Sequence, residues 1–184
     1  MQSYAVYVIM LQKAEGINMK KVTVKQPNSS DCFVCGLNNE KGLKAFFYET
    51  DTRECVAIFT PDRLHQSYPG RVHGGIAACM LDETMGRAIQ IGQPDVWGVT
   101  AELSLAYKKP LPYEVELKCV GRITRETRLL FEAEGEILTP EGEVAVTAKG
   151  RYVKLPVERI ADGFGSGDDW KVHLHIDDPT EIDI

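Results

Sequence analysis

The segment Tyr68-Pro69-Gly70-Arg71-Val72-His73-Gly74-Gly75 runs directly into an apolar stretch that carries Asp82. Apolar residues at Ile76, Ala77, Met80, Leu81, Met85, Ala88 and Ile89 recur at helical spacing, so the segment from Gly74 to about Ile91 is predicted to be a helix. Two glycines at its start need a reason, because glycine costs about 1 kcal/mol against alanine inside a helix. Close approach of backbone to a ligand is one reason; tight packing or a simple turn is another. The first amides of a helix lack internal partners and sit at the positive end of its dipole. Aimed at a carbonyl, they form an oxyanion hole. Asp82 lies among Met80, Leu81 and Met85, where an unpaired charge is costly, so its carboxyl is expected to have a raised pKa and to be a better base. Eight residues of helix rise separate Gly74 from Asp82 by ~12 Å. The two cannot serve one carbonyl within a single chain, but two antiparallel facing helices would bring Asp82 of one chain beside Gly74 of another. Glu83 is a competing candidate that could also contact substrate, but, turned about 100° away, it reads more readily as solvated or ion-paired.

The elements that must position these groups follow from the pattern on either side. Lys20 to Lys25, Ala45 to Tyr48 and Glu54 to Thr60 read as strands, with a turn at Asn28 to Asp31 and a hairpin at Asp51-Thr52-Arg53. Pro61 to Arg71 reads as a loop. After Gly92, Pro94 and Asp95 stop the helix, strict alternation marks four strands, at Ala101 to Tyr107, Tyr113 to Cys119, Phe131 to Ile137 and Val144 to Ala148. Their turns fall at Lys109 to Pro112, Thr124 to Thr127 and Thr139 to Gly142. One long helix among antiparallel strands defines an α+β fold with the helix on one face of the sheet. The first half of the helix is apolar nearly all round, which implies burial. One helix covers such a sheet poorly, so a homodimer or a dimer of dimers is expected.

The chain divides into an N-terminal extension and short strand at 1–30, a main domain at 31–156 and an acidic linker and tail at 157–184. Met19-Lys20-Lys21 would make a plausible start, so residues 1–18 read as an upstream extension or a mis-called start. Its apolar run from Tyr4 to Leu11 is too short to span a bilayer and has no basic residue before it. Gly163, Gly165, Ser166 and Gly167 read as a flexible linker, and the tail as a solvated end, with His173 to Ile176 as an optional edge strand.

HGGIAACMLDETMG at 73–86, followed by VTAELSLAYKKPLP at 99–112, resembles the hotdog-fold acyl-CoA thioesterases of the phenylacetate-pathway (PaaI-type) superfamily, nearest its thioesterase-superfamily-member branch. The resemblance covers about residues 31 to 155. It implies a sheet wrapped around one central helix, two subunits forming two sites, and hydrolysis of an acyl-CoA thioester with no cofactor beyond that substrate. It further implies that Gly74, with Gly75 beside it, binds the thioester oxygen. By the same resemblance, Asp82 would act as base or nucleophile, Thr100 would position water or substrate, and His73 would shape the helix start. Where some relatives carry an asparagine six residues before the histidine, this chain has Ser67, flanked by Gln66 and Tyr68; Gln66 or Ser67 is the expected substitute. A non-catalytic protein that binds an acyl or aromatic ligand on the same fold is the alternative. A hydratase needs a histidine to pair with its carboxylate, and five residues after Asp82 this helix has Arg87 instead.

Composition bounds the partners. The formal charge is −6, from 21 basic and 27 acidic residues, which disfavours nucleic acid; no membrane segment is expected. Five cysteines at irregular spacing read as reduced thiols in a cytoplasmic protein. Cys32-Phe33-Val34-Cys35-Gly36 has the spacing of half a zinc knuckle, but no second pair follows, so a structural turn is favoured and no metal is expected. Lys108, Lys109, Arg71, Arg122, Arg125 and Arg128 are candidates for CoA phosphates, though as turn residues they serve mainly solvation.

Overall fold

A computed structural model describes residues 18–161 and 170–184. The N-terminal extension before residue 18 and the Gly163–Gly167 linker lie outside the described residues. The strands are β1 (Met19–Lys25), β2 (Asn28–Ser29), β3 (Phe46–Thr50), β4 (Cys55–Phe59), β5 (Trp97–Tyr107), β6 (Leu117–Glu126), β7 (Leu130–Leu138), β8 (Val144–Leu155), β9 (Trp170–Lys171) and β10 (Glu181–Asp183). The long helix, α1, spans Gly74–Arg87. Eight strands form one antiparallel sheet in the order β10-β1-β3-β4-β6-β7-β8-β5, and β2 pairs separately with β9. The α+β architecture, one helix on one face of a large antiparallel sheet, is as expected. Among the described residues, no helix is long and apolar enough to cross a membrane.

The helix buries Ala77, Met80, Leu81, Thr84, Met85 and Arg87. Around them pack the inward residues of the sheet, including Phe47 on β3, Phe131 and Ile137 on β7, and Val146 and Tyr152 on β8. The approach is closest at Gly121 on β6. A Cβ there would lie 2.7 Å from the Thr84 carbonyl oxygen and 3.0 Å from the Met85 Cα, so only glycine lets helix backbone rest on sheet backbone. The opposite side of the helix stays partly open, a stripe of small residues at Gly75, Ala78, Cys79 and Gly86 around Asp82.

Several boundaries differ from the sequence reading, each for a local reason. The α-helix ends at Arg87 and continues as a 3₁₀ turn over Ala88–Gln90 before Gly92 turns the chain at φ 79°. Tyr113 to Glu116 are not strand: Glu114 adopts φ 59°, a left-handed conformation that breaks the ladder. β6 runs on through Thr124 to Glu126, expected to be a turn, because a register shift between Ile123 and Arg125 absorbs the irregularity. Asn28–Ser29, read as a turn, forms the small pairing with Trp170–Lys171.

The tail is the largest correction. His173 to Ile176 is not a strand, and Ile176 is fully exposed. The edge strand is Glu181–Asp183, paired with β1, and Ile182 is only 3% exposed. Ile182 joins Tyr48, Val56, Val120 and Leu138 in a second apolar cluster, with Ile184 packed alongside. Asp178 accepts a hydrogen bond from Tyr48 Oη at 2.9 Å and pairs with Lys25 Nζ at 2.5 Å. The segment from Asp178 to Ile184 is therefore anchored to the packed structure, not a solvated end.

Candidate active site

His73 sits just before α1 with extended backbone (φ −65°, ψ 137°). Its Nδ1 accepts the Gly75 amide at 2.9 Å, a side-chain cap. That leaves the Gly74 N–H as the amide at the helix start with no partner among the described residues. Tyr107, from the far end of β5, donates its hydroxyl to the Gly74 carbonyl at 2.8 Å and lays its ring against the glycine. The open donor and the dipole end thus meet on an accessible surface. A groove of about 300 Å³ beside it is lined by Val72, Ala77, Tyr107, Lys108, Lys109 and Leu111.

Asp82 is half-buried two turns further along. Thr100 donates its hydroxyl to Asp82 Oδ1 at 2.8 Å. Tyr152 donates to the same oxygen at 3.3 Å and to the Asp82 carbonyl at 3.1 Å. Oδ2 has no hydrogen bond among the described residues. Burial pushes the Asp82 carboxyl above the usual carboxylate range; the bonds from Thr100 and Tyr152 partly offset this, and the neighbouring charge of Glu83 adds to it. A small cavity of about 100 Å³ opens against Asp82, Glu83, Arg87, Gln90, Trp97 and Thr100.

Thr100 reaches Asp82 only because of a bulge. The inward residues of β5 are Leu103 and Leu105, with Tyr107 following, and strict alternation would turn Thr100 outward. The pairing of β5 with β8 shifts register between Thr100 and Glu102, which turns Thr100 and Gly98 toward the helix. Tyr152 is a residue the sequence reading missed. It is buried, stacks on Phe131 at 4.8 Å between ring centres, and holds Asp82. Its signal was present: the alternation Val144, Val146, Ala148 continues through Gly150 to Tyr152 on the same face.

The remaining candidates serve other contacts. Gln66, Ser67 and Tyr68 are exposed, in a loop closed by the Ser67 amide on the Arg71 carbonyl and by Gln66 pairing with Val72. His65 is buried, accepts the Asp62 amide through Nδ1 at 2.9 Å and bonds the Lys41 carbonyl through Nε2. Glu83 pairs with Arg87 Nε at 2.8 Å, as anticipated for an i,i+4 pair. Arg87 also donates to the Pro27 carbonyl and lies over the rings of Phe47 and Trp170, tying the segments around β2 and β9 to the helix. Arg122 is held by Glu54 and Glu136, and Lys109 by Glu143. Gly74 with Tyr107, and Asp82 with Thr100 and Tyr152, form two separate groups, joined by no hydrogen bond.

A helix start with an open amide, a half-buried carboxylate on the same helix and an antiparallel sheet behind both define a hotdog-fold domain. The family model described as the thioesterase superfamily matches residues 69–146, which include both groups. That stretch of the chain is similar to the superfamily. The mouse acyl-coenzyme A thioesterase THEM4 is 39% identical over 125 residues, 65% of this chain and 53% of the mouse protein. The rat THEM4 is 28% identical over 137 residues, 73% of this chain and 58% of its own length. The chain therefore spans little more than half the length of these curated relatives. Among solved structures, the Bacillus halodurans protein BH2602 with CoA is 30% identical, with a TM-score of 0.50 over 54% of this chain and 66% of that one. A thioesterase superfamily protein, RHA08564, has the same fold at 23% identity, with a TM-score of 0.62 over 83% of this chain and 76% of its own.

Proposed function

We propose that this protein hydrolyses acyl-CoA thioesters, in a site assembled from two subunits. The observation that carries the reading is Asp82: a carboxylate lifted in pKa by burial, with Oδ1 fixed by Thr100 and Tyr152 and Oδ2 left open. That arrangement suits a general base whose free oxygen takes a proton from water. The Gly74 amide supplies the other half. It would donate to the thioester oxygen as negative charge develops there, aided by the helix dipole. Thr100 donates its own hydrogen to Asp82, so its lone pairs remain free to accept from the attacking water. The leaving thiolate of CoA then departs with the proton Asp82 has collected.

Helix rise keeps Asp82 and Gly74 of one chain ~12 Å apart, so in this reading the second half of the site comes from a partner subunit. The half-open stripe of small residues around Asp82, and β5 as an unpaired sheet edge, suit a homodimer. In such a pair the groove beside Gly74 would receive the CoA arm, with Lys108 at its rim for phosphate. The CoA bound to the Bacillus halodurans protein and the acyl-coenzyme A activity named for mouse THEM4 support this substrate class.

The test is release of free thiol from short, long and aromatic acyl-CoAs. Wild-type protein should turn over at least one class. Asp82→Asn should lose ~10²–10⁴-fold in kcat/KM while keeping its circular dichroism. Tight binding with no hydrolysis across the panel would favour a ligand-binding role instead.

A further inference from the structure

The loop that leads into β3 carries a second cluster of reactive groups, built from Cys32, Cys35 and Glu83. Their ligand atoms, two sulfurs and one carboxylate oxygen, all lie within 4.8 Å of one another. The sequence shows only the two cysteines; the third group comes from the middle of α1, 48 residues later than Cys35. Cys32 is half-buried and Cys35 fully buried.

The backbone around Cys32 is shaped to hold a sulfur. The Val34 amide, two residues on, donates to Cys32 Sγ at 3.3 Å. The Gly36 amide closes the turn on the Cys32 carbonyl at 2.8 Å. A Cβ on Gly36 would lie 2.3 Å from that carbonyl oxygen, so the tight turn requires glycine. Asn28 braces the turn from behind by donating to the Cys35 and Ala45 carbonyls. An amide aimed at the first sulfur of Cys-x-x-Cys-Gly stabilises thiolate over thiol.

From this juxtaposition we infer that Cys32, Cys35 and Glu83 form a binding site for a thiophilic divalent cation of the zinc type. Tetrahedral zinc with thiolate and carboxylate ligands places its donors about 3.5–3.8 Å apart, so closure around the ion asks for movement of about 1 Å at most. Charge agrees. Two thiolates, the Glu83 carboxylate and the adjacent Arg87 cation sum to −2, which a divalent ion neutralises. Glu83 pairs with Arg87 through Oε1 and keeps a second carboxylate oxygen. Cys32, being half-exposed, leaves the fourth position to water. Binding releases the thiol protons to solvent and changes no oxidation state. The ion would clip the loop to the helix residue next to Asp82. This inference does not depend on the hydrolytic reading, and its readouts are independent of turnover.

Cobalt(II) is the probe. Titrated into the reduced full chain, it should give an intense near-ultraviolet thiolate-to-metal band and tetrahedral visible bands, saturating at one ion per chain and displaced by zinc. Zinc should raise the melting temperature of the wild type. Cys32→Ser and Cys35→Ser should abolish the near-ultraviolet band. Glu83→Gln, which keeps both thiols, should weaken cobalt binding by at least about ten-fold. Circular dichroism identifies any variant that fails to fold. The inference is overturned if folded, reduced wild type gives no band, if the band survives in both cysteine variants, or if Glu83→Gln binds as tightly as wild type. A Cys32–Cys35 disulfide that forms readily in a chain binding neither ion would also overturn it, and would mark the pair as redox-active.

Discussion

Burial raises the Asp82 carboxyl, and the sign of that shift has consequences for both stability and rate. The folded state favours the protonated form. Its stabilising contribution is complete below the unfolded carboxyl's pKa and is lost as pH rises through the higher folded value. Asp82→Asn never ionises, so it should melt higher than wild type at neutral pH, and the difference should vanish in acid. Activity should run the other way if Asp82 is the base proposed above, because it must then be ionised: kcat/KM should show an acid limb above the usual carboxylate range. Thr100→Val removes a bond that holds the pKa down. Its limb should move to higher pH, with kcat/KM about ten-fold lower at neutral pH. A pH profile of wild type and variant checks both points. Asp82 was legible in the sequence because a lone acid in an apolar helical run has few structural uses. The Gly75 amide was not, because its capture by His73 depends on a rotamer that spacing does not encode.

Between elements, the site depends on how closely α1 lies on the sheet. The Cβ of Gly121→Ala would meet the backbone of Thr84 and Met85, two and three residues beyond Asp82. The helix must lift, at a cost of about 1–3 kcal/mol in urea melts, and Asp82 should shift relative to Thr100. The long helix and the β7 and β8 starts could be read from periodicity, since both use uninterrupted repeats. The bulge between Thr100 and Glu102 and the left-handed Glu114 could not. Each is a break in alternation stabilised by contacts from distant segments, and the first of them aims Thr100 at the carboxylate.

At the scale of the molecule, the sheet has two different edges. One is β10, supplied by the tail, where Ile182 closes an apolar cluster on the outer face. Ile182→Ala should destabilise the chain by about 2–5 kcal/mol in a denaturant melt, whereas a solvated tail would show no effect. The acidic composition of that tail hid its role: only a few apolar residues anchor it, and Asp178 is used as a partner for Lys25 and Tyr48. The other edge is β5, beside the open side of the helix.

That second edge leads to the proposed subunit-shared site, which co-expressed mixed dimers test directly. One chain carries Asp82→Asn. The other carries Gly74→Pro, which removes the amide left open at the helix start; His73 already has the extended backbone that proline demands, and the Tyr107 ring, 3.3 Å from a Cβ there, must give slightly. Each variant alone should lose ~10²–10³-fold or more in kcat/KM. In a one-to-one mixture, half the dimers are hybrid and each holds one intact site, so activity should return to about a quarter of wild type. Activity in the mixture no higher than the mean of the two parents would contradict a site shared between subunits.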